Sequence, residues 1–320
     1  MKLSMLYANM KSDLDVIEKE LENAFHSDSS LLQTSSIQLL KAGGKRIRPV
    51  FVLLSAKFGV YDINQVKNAA VALELIHMAS LVHDDVIDSA ELRRGQPTIN
   101  FTWDDRIAMY TGDYILARSL EYMTEIENPA AHKILAEAIV EVCIGEIEQI
   151  KDKYRYDQTL KDYFRRIKRK TALLIAVSSK LGAVAANAKG PVSSALYRFG
   201  YYIGMSYQIT DDILDFTGTE EELGKPAGED LRQGNITLPV LFAMKDPALY
   251  EKIIRVTKDA PPEEMREIIS CIKRSGAIEQ SRGVSRQYLN KALAVLKDLP
   301  DNRAKKTLRD IAVYIGKRSY

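Results

Sequence analysis

The chain has only two cysteines, Cys143 and Cys271, among 320 residues. That count excludes a disulfide framework and leaves a reducing cytosol as the simplest compartment. There is one tryptophan and there are only ten prolines, several of which (Pro49, Pro97, Pro129, Pro191, Pro226, Pro247 and Pro261) stand at expected helix boundaries. No apolar run approaches the roughly 20 residues that a bilayer-spanning helix needs, so membrane contact is expected to be peripheral at most. The N-terminal stretch mixes acids and lysines where a signal peptide requires an apolar core. A surplus of charge is lacking too: 45 Lys and Arg against 43 Asp and Glu leave a net +2. The chain as a whole therefore has no pull toward nucleic acid or an anionic membrane. Phosphate binding has to come from local basic clusters.

What the chain does have is helical periodicity. Residues 71–82, 134–150, 171–186 and 196–214 are mostly apolar around the whole circumference, as buried helices are. Alternating strand patterns bounded by Asn-Gly or Asp-Gly turns are missing, and no low-complexity linker divides the sequence. The expectation is one all-α domain over residues 1–320, built from about ten or more helices of ordinary length.

Within this apolar background one acidic pentapeptide occurs twice, as Asp84-Asp85-Val86-Ile87-Asp88 and Asp211-Asp212-Ile213-Leu214-Asp215. The halves share no wider similarity, so no structural repeat is implied. Carboxylates near a core are costly unless a cation neutralises them. On a helix the first and last aspartates of each copy share one face, about 6 Å apart along the axis. That spacing suits one or two Mg²⁺ ions, which take a few carboxylates and complete their shell with substrate phosphate oxygens. Two facing clusters thus predict divalent ions holding a diphosphate.

Basic residues accompany both copies. Ala42-Gly43-Gly44-Lys45-Arg46-Ile47-Arg48-Pro49 sets three cations beside a flexible Gly-Gly. It lacks the Walker pattern and reads as a phosphate clamp or as a solvated basic turn. Glu91-Leu92-Arg93-Arg94-Gly95 offers paired guanidinium groups for phosphate and a glycine for a tight reversal. His77 lies two turns before Asp84 on the same face, where a core histidine and a phosphate donor are both open readings; His83 is expected to pack or to orient a neighbour. In the run Arg165-Arg166-Ile167-Lys168-Arg169-Lys170-Thr171, most residues are expected to form a solvated face or a dipole cap. Only Lys170 and Thr171 are expected to turn inward. Gln208 shares a face with Asp211, and Lys225 follows in a Gly-Lys-Pro loop.

In this order and spacing, GGKRIRP, DDVIDSAELRRG, KT, QITDDILD and GKP resemble the signature set of the trans-isoprenyl diphosphate synthases, over nearly the whole chain. The resemblance implies an all-α isoprenoid synthase fold with a deep central cavity, where Mg²⁺ serves the elongation of an allylic diphosphate by isopentenyl diphosphate. Asp84 and Asp88, supported by Asp85, would hold Mg²⁺ on the allylic diphosphate from one wall. Asp211, supported by Asp212 and Asp215, would do so from the other. Lys45, Arg48, His77 and Arg94 would bind isopentenyl diphosphate. Arg93, Lys170, Thr171, Gln208 and Lys225 would face the allylic substrate, with Lys170 counted among the catalytic groups. Ser89 departs from the further Asp expected after the first motif, which bears on metal affinity. The resemblance is greatest to bacterial members that make a heptaprenyl product for menaquinone, in which a larger catalytic subunit forms a heterodimer with a small partner. A homodimer, and a hexaprenyl or octaprenyl product, are the alternatives.

Product length has its own reading. Ile76, Ala79 and Ser80 precede Asp84 on one face of its helix; Ala79 and Ser80 are small enough to let a growing chain pass, or they merely permit close helix packing. Three rival functions remain at this level. A terpene cyclase of the same helical class would carry a different second metal motif. An HD-type phosphohydrolase would need another metal-ligating histidine, and a non-catalytic binding subunit would be free to lose the carboxylates that are complete here. The amphipathic N-terminal stretch either contacts a partner or packs on its own domain.

Overall fold

A computed structural model describes residues 3–219 and 226–317, and they are helical almost throughout. The chain runs through α1 (Leu3–Leu6), α2 (Lys11–Ala24), α3 (Ser30–Lys41), α4 (Ile47–Ala56) and α5 (Ile63–Ile87). A small hairpin follows, β1 (Leu92–Arg93) and β2 (Gln96–Pro97), then α6 (Ile99–Thr102), α7 (Asp105–Thr124), α8 (Pro129–Asp152) and α9 (Leu160–Ile167). A π-helical turn (Lys168–Ala172) leads into α10 (Leu173–Ala185) and α11 (Gly190–Thr217). The remainder is α12 (Glu229–Arg232), α13 (Leu238–Ala243), α14 (Pro247–Ile253), α15 (Pro262–Arg274), α16 (Ala277–Val295) and α17 (Arg303–Gly316).

Local chemistry sets the boundaries. Asp62 caps α5 by accepting from the Asn64 N–H at 2.9 Å, and Thr159 with Asp162 forms a capping box on α9. Pro129 and Pro247 open their helices, where a missing N–H costs nothing.

The chain divides into two compact units: Met1–Ile139, Val177–Tyr197 and Leu299–Leu308 in the first, Val140–Ala176, Arg198–Asp298 and Arg309–Tyr320 in the second. The first is organised on α5, which is buried nearly all round and packs against α4 and α7. Its close crossings depend on small residues: a Cβ on Gly182 would stand 2.0 Å from the Val52 carbonyl oxygen. Helix α2 buries Ile17, Leu21 and Ala24 in this same unit, so the amphipathic N-terminal stretch packs on its own body. The second unit has α11 at its core, where Met205, Ile209, Ile213 and Phe216 join Tyr163, Leu238 and Ile272. Cys143 and Cys271 are both free thiols. No helix among the described residues is long and apolar enough to cross a membrane.

Candidate active site

In the first unit, α5 delivers the first acidic motif at its C-terminal end, where Asp88 caps the helix and its N–H bonds the Asp84 carbonyl at 2.8 Å. Three carboxylates at the negative end of a helix dipole repel it and one another. Arg93 offsets this, its Nε and Nη2 donating to the Asp85 carboxylate at 2.6 to 2.9 Å. Burial raises the pKa of Asp85, Arg93 pulls it back, and the charges of Asp84 and Asp88 raise it again. Asp85 is thus fixed from within, and Arg93 is committed to it rather than turned wholly toward substrate. Asp84 and Asp88 remain half-buried.

The β-hairpin reverses through Arg94 (φ 55°) and Gly95 (φ 75°), both left-handed as a type I′ turn requires. This brings Arg94 back to the Gly-Gly segment. A Cβ on Gly44 would stand 2.7 Å from Arg94 Nη1 and 3.0 Å from Arg46 Nη1, so glycine there is what lets two guanidinium groups approach. Arg46, itself left-handed at φ 46°, donates to Glu18 at 2.5 and 3.1 Å and to Glu74 at 3.2 Å. Glu74 is buried, and a buried carboxylate stripped of its partner costs about 3–5 kcal/mol. Arg46 therefore anchors the segment, and Lys45 and Arg48 flank the anchor. Tyr7 adds a hydrogen bond to the Lys45 carbonyl at 3.0 Å. His77 sits among these cations: desolvation, then Arg48, Arg94, Arg93 and Arg46, drive its pKa well below 6.5. It is a neutral imidazole, with one N–H to donate and one nitrogen to accept. His83 lies 3.3 Å from Asp113 and packs over Gly112.

In the second unit, α11 carries Gln208 and the second motif into a cavity of about 340 Å³. Asp211 is exposed, whereas Asp212 and Asp215 are buried. Tyr163 O–H donates to Asp212 Oδ2 at 2.6 Å, and Gln208 Nε2 donates to Oδ1 at 2.8 Å. Burial, Asp230 and Asp211 push Asp212 up to about 7 against those two donors. Asp215 accepts from the Asp230 N–H at 3.3 Å. The π turn aims the adjacent side chains: Lys170 Nζ reaches Gln149 at 2.7 Å, and Thr171 O–H donates to Gln208 Oε1 at 2.5 Å. Gln208 is thus spoken for on both sides, as a link between Thr171 and Asp212. Single-turn π segments concentrate at functional sites because they re-aim side chains without breaking the helix.

Part of the basic run departs from expectation. Arg166, expected on a solvated face, is 7% exposed, bonded to the Gln158 side chain and the Ile236 carbonyl. It lies between Tyr163 and Ile167 on the buried side of α9, where those partners neutralise its cost. Arg169 pairs with Glu141 and Glu148 at 3.0 and 2.5 Å. The cavity also takes in Asn235 and Thr237, and the Thr237 hydroxyl has no hydrogen-bond partner among the described residues. Lys225 lies outside the described residues. Ile76 and Ala79 are buried on α5, and the Ser80 hydroxyl bonds the His77 carbonyl at 2.8 Å.

Among the described residues no three His, Cys, Asp or Glu side chains form a ready-made metal cage. Mg²⁺ does not need one, since one or two carboxylates plus substrate oxygens suffice. In the first unit the half-buried Asp84 and Asp88, and in the second the exposed Asp211, each suit such a donor set, whereas Asp215 is buried.

Residues 29–272 match the family model described as Polyprenyl synthetase. The chain belongs to the polyprenyl synthetase family. It is 62% identical over 320 residues to Heptaprenyl diphosphate synthase component 2 of Bacillus subtilis (strain 168), covering 100% of this chain and 92% of that one. The crystal structure of heptaprenyl diphosphate synthase from Staphylococcus aureus matches with a TM-score of 0.92 at 44% identity, over 97% of this chain and 98% of that one. Polyprenyl synthase from Caulobacter crescentus CB15, complexed with calcium and isoprenyl diphosphate, matches at 0.94 and 31% identity, over 99% and 98%. This member of the family is a trans-prenyltransferase with the expected all-α fold, and the family is generally Mg²⁺-dependent. The cyclase, phosphohydrolase and non-catalytic readings fall with that assignment.

The depressed pKa of His77 makes a prediction with a definite sign. Below about pH 6.5 the unfolded chain takes up a proton that the folded chain refuses, so stability is lost as pH falls. Denaturant unfolding of His77→Gln between pH 7 and pH 5 is expected to show a shallower slope, the difference growing as pH falls toward a ceiling of about 1.4 kcal/mol per pH unit. An unchanged slope would mean that His77 titrates normally.

Proposed function

We propose that this chain is the catalytic subunit of a cytoplasmic two-component synthase that elongates farnesyl diphosphate with isopentenyl diphosphate to heptaprenyl diphosphate, its two units serving as one catalytic domain. Residues 84–88 keep Asp85 fixed by the protein, residues 211–215 keep Asp212 and Asp215 buried, and Asp84, Asp88 and Asp211 serve the ligand. The observation that carries the reading is Asp211, whose exposed carboxylate borders the cavity while Tyr163 and Gln208 lock its neighbour Asp212. Fixing the inner acid sets the helix face on which the outer acid works.

The reaction follows from the residue types. Lys45, Arg48, His77 and Arg94 hold the diphosphate of isopentenyl diphosphate; His77, being neutral, supplies an N–H without adding a repelling charge beside four guanidinium groups. Lys170 and Thr171 line the allylic side, and Arg93 and Gln208 act through Asp85 and Asp212. Mg²⁺, held by Asp84, Asp88 and Asp211, would neutralise the charge that builds on the departing diphosphate. The allylic C–O bond ionises, the double bond of isopentenyl diphosphate captures the cation, a proton leaves, and the chain gains five carbons. No nucleophilic triad is needed. Support for heptaprenyl length comes from the named relatives of B. subtilis and S. aureus.

A surface for the second component is also present. Helix α8 buries Leu135, Ala138, Val142 and Gln149 on one side. Its other side exposes Val140, Ile144, Ile147 and Ile150, at i, i+4, i+7 and i+10. A helix apolar on both sides is half of an interface, and the B. subtilis relative is named as one component of its enzyme.

Three measurements test this reading. Purified chain given farnesyl diphosphate, labelled isopentenyl diphosphate and Mg²⁺ is expected to yield 35-carbon product when the small subunit is added, and Asp211→Asn to lower kcat about 10²- to 10³-fold; retention of full turnover by that variant would overturn the role of the second motif. Ala79→Tyr is expected to stop growth at about three or four prenyl units, and product of unaltered length would remove residue 79 from the length ruler. Ile144→Glu with Ile147→Glu is expected to abolish co-purification of the small subunit while leaving the helical circular dichroism intact; undiminished pairing would place the interface elsewhere.

A further inference from the structure

The net charge of +2 conceals an uneven distribution. Residues 273–318 hold twelve Lys and Arg against four Asp and Glu, a surplus of +8, so the rest of the chain carries −6. Most of these cations sit on α16, its short 3₁₀ extension (Leu296–Asp298) and α17. Helical spacing puts Arg282, Arg286 and Lys297 on one face with Asn290, Leu293 and Ala294, and it puts Arg309, Val313 and Lys317 on another. The two faces meet: Asn290, Leu293, Ala294, Lys297, Arg309 and Val313 line an open cleft of about 290 Å³.

Lys297, Arg309 and Lys317 are exposed and enter no ion pair among the described residues. Arg282 and Arg286 share a single acid, Glu279, at 3.8 and 2.7 Å. The face therefore has cationic capacity that its own carboxylates do not meet. Its chemistry narrows the partner. No aromatic or large aliphatic side chain is exposed among the described residues of this region, so it offers no platform for stacking bases and no broad apolar patch for a protein core. It combines a ring of point charges with a narrow apolar slot floored by Leu293, Ala294 and Val313. Phosphate groups spaced over hydrocarbon match both features.

We infer that the α16–α17 face docks this protein on an anionic phospholipid surface, with phosphates on Lys297, Arg309 and Lys317 and apolar lipid at the cleft. The docking is peripheral and electrostatic, so it weakens with salt. It extends the proposed function, in which a product insoluble in water must leave for a bilayer, but its test does not involve substrate. Lipid-phosphate and free-phosphate binding are separated by competition with inorganic phosphate.

The experiment is co-sedimentation of the full chain with vesicles of phosphatidylglycerol and phosphatidylcholine, compared with pure phosphatidylcholine, at low and high salt. Binding is expected only to the anionic vesicles, to be lost at high salt, and to resist millimolar phosphate. Each cation near the surface is worth about fivefold, so the triple variant Lys297→Glu, Arg309→Glu, Lys317→Glu is expected to bind at least about 100-fold more weakly. Its prenyl transfer in detergent with the small subunit added is expected to stay at the parental level, which shows that it is folded. Equal binding to neutral vesicles, undiminished binding by the triple variant, displacement by phosphate, or retention on DNA in place of vesicles would each overturn the inference. Vesicle binding by a chain that fails to make prenyl product even with the small subunit present would sink the catalytic reading and leave this one standing.

Discussion

Carboxylates set against an apolar helix have to be answered by a cation or a hydrogen-bond donor, and this requirement organises both acidic motifs. Asp85 is buried and Arg93 grips it with two nitrogens. Asp212 is buried and is met by a phenol and an amide. In each motif the acid after the first is held by side-chain donors, Asp85 by Arg93 and Asp212 by Tyr163 and Gln208, which fixes the helix face that carries the motif.

The cationic side obeys the same rule in reverse. Arg46 stands in the middle of the basic loop, yet Glu18 and Glu74 take up its guanidinium. Its rigidity is lent to Lys45 and Arg48 on either side. The hairpin turn at Arg94 and Gly95, with the bare backbone at Gly44, then crowds further positive charge around His77. An imidazole in that company stays neutral, and it can bond phosphate without adding to the repulsion.

Much of this could be read in the sequence because it rests on composition and spacing. The doubled aspartate motif, the glycine before the cations and the helical periods are local properties, and local properties survive in a one-dimensional string. Tyr163, Asn235 and Thr237 could not be read that way, since nothing next to them in the chain marks them and only the fold brings them to the cavity. Arg166 was misplaced because a run of like charges suggests a solvated face, whereas its partners, Gln158 and the Ile236 carbonyl, come from outside its helix. Gln208 lies where spacing put it, but its partners turn out to be protein atoms. The basic C-terminal face escaped because a sum over the whole chain cancels it.

The π turn at Lys168–Ala172 has a consequence for how this site can change over time. One surplus residue in a turn shifts everything beyond it by about 100° around the helix axis while barely altering the axis itself. Loss of a single codon there would restore an ordinary helix and carry Lys170 and Thr171 away from Gln149 and Gln208 together. Point substitutions explore that wall of the cavity one side chain at a time, but a one-residue deletion would re-index the whole wall. Lineages descended from this chain should therefore keep the number of residues across 168–172 constant.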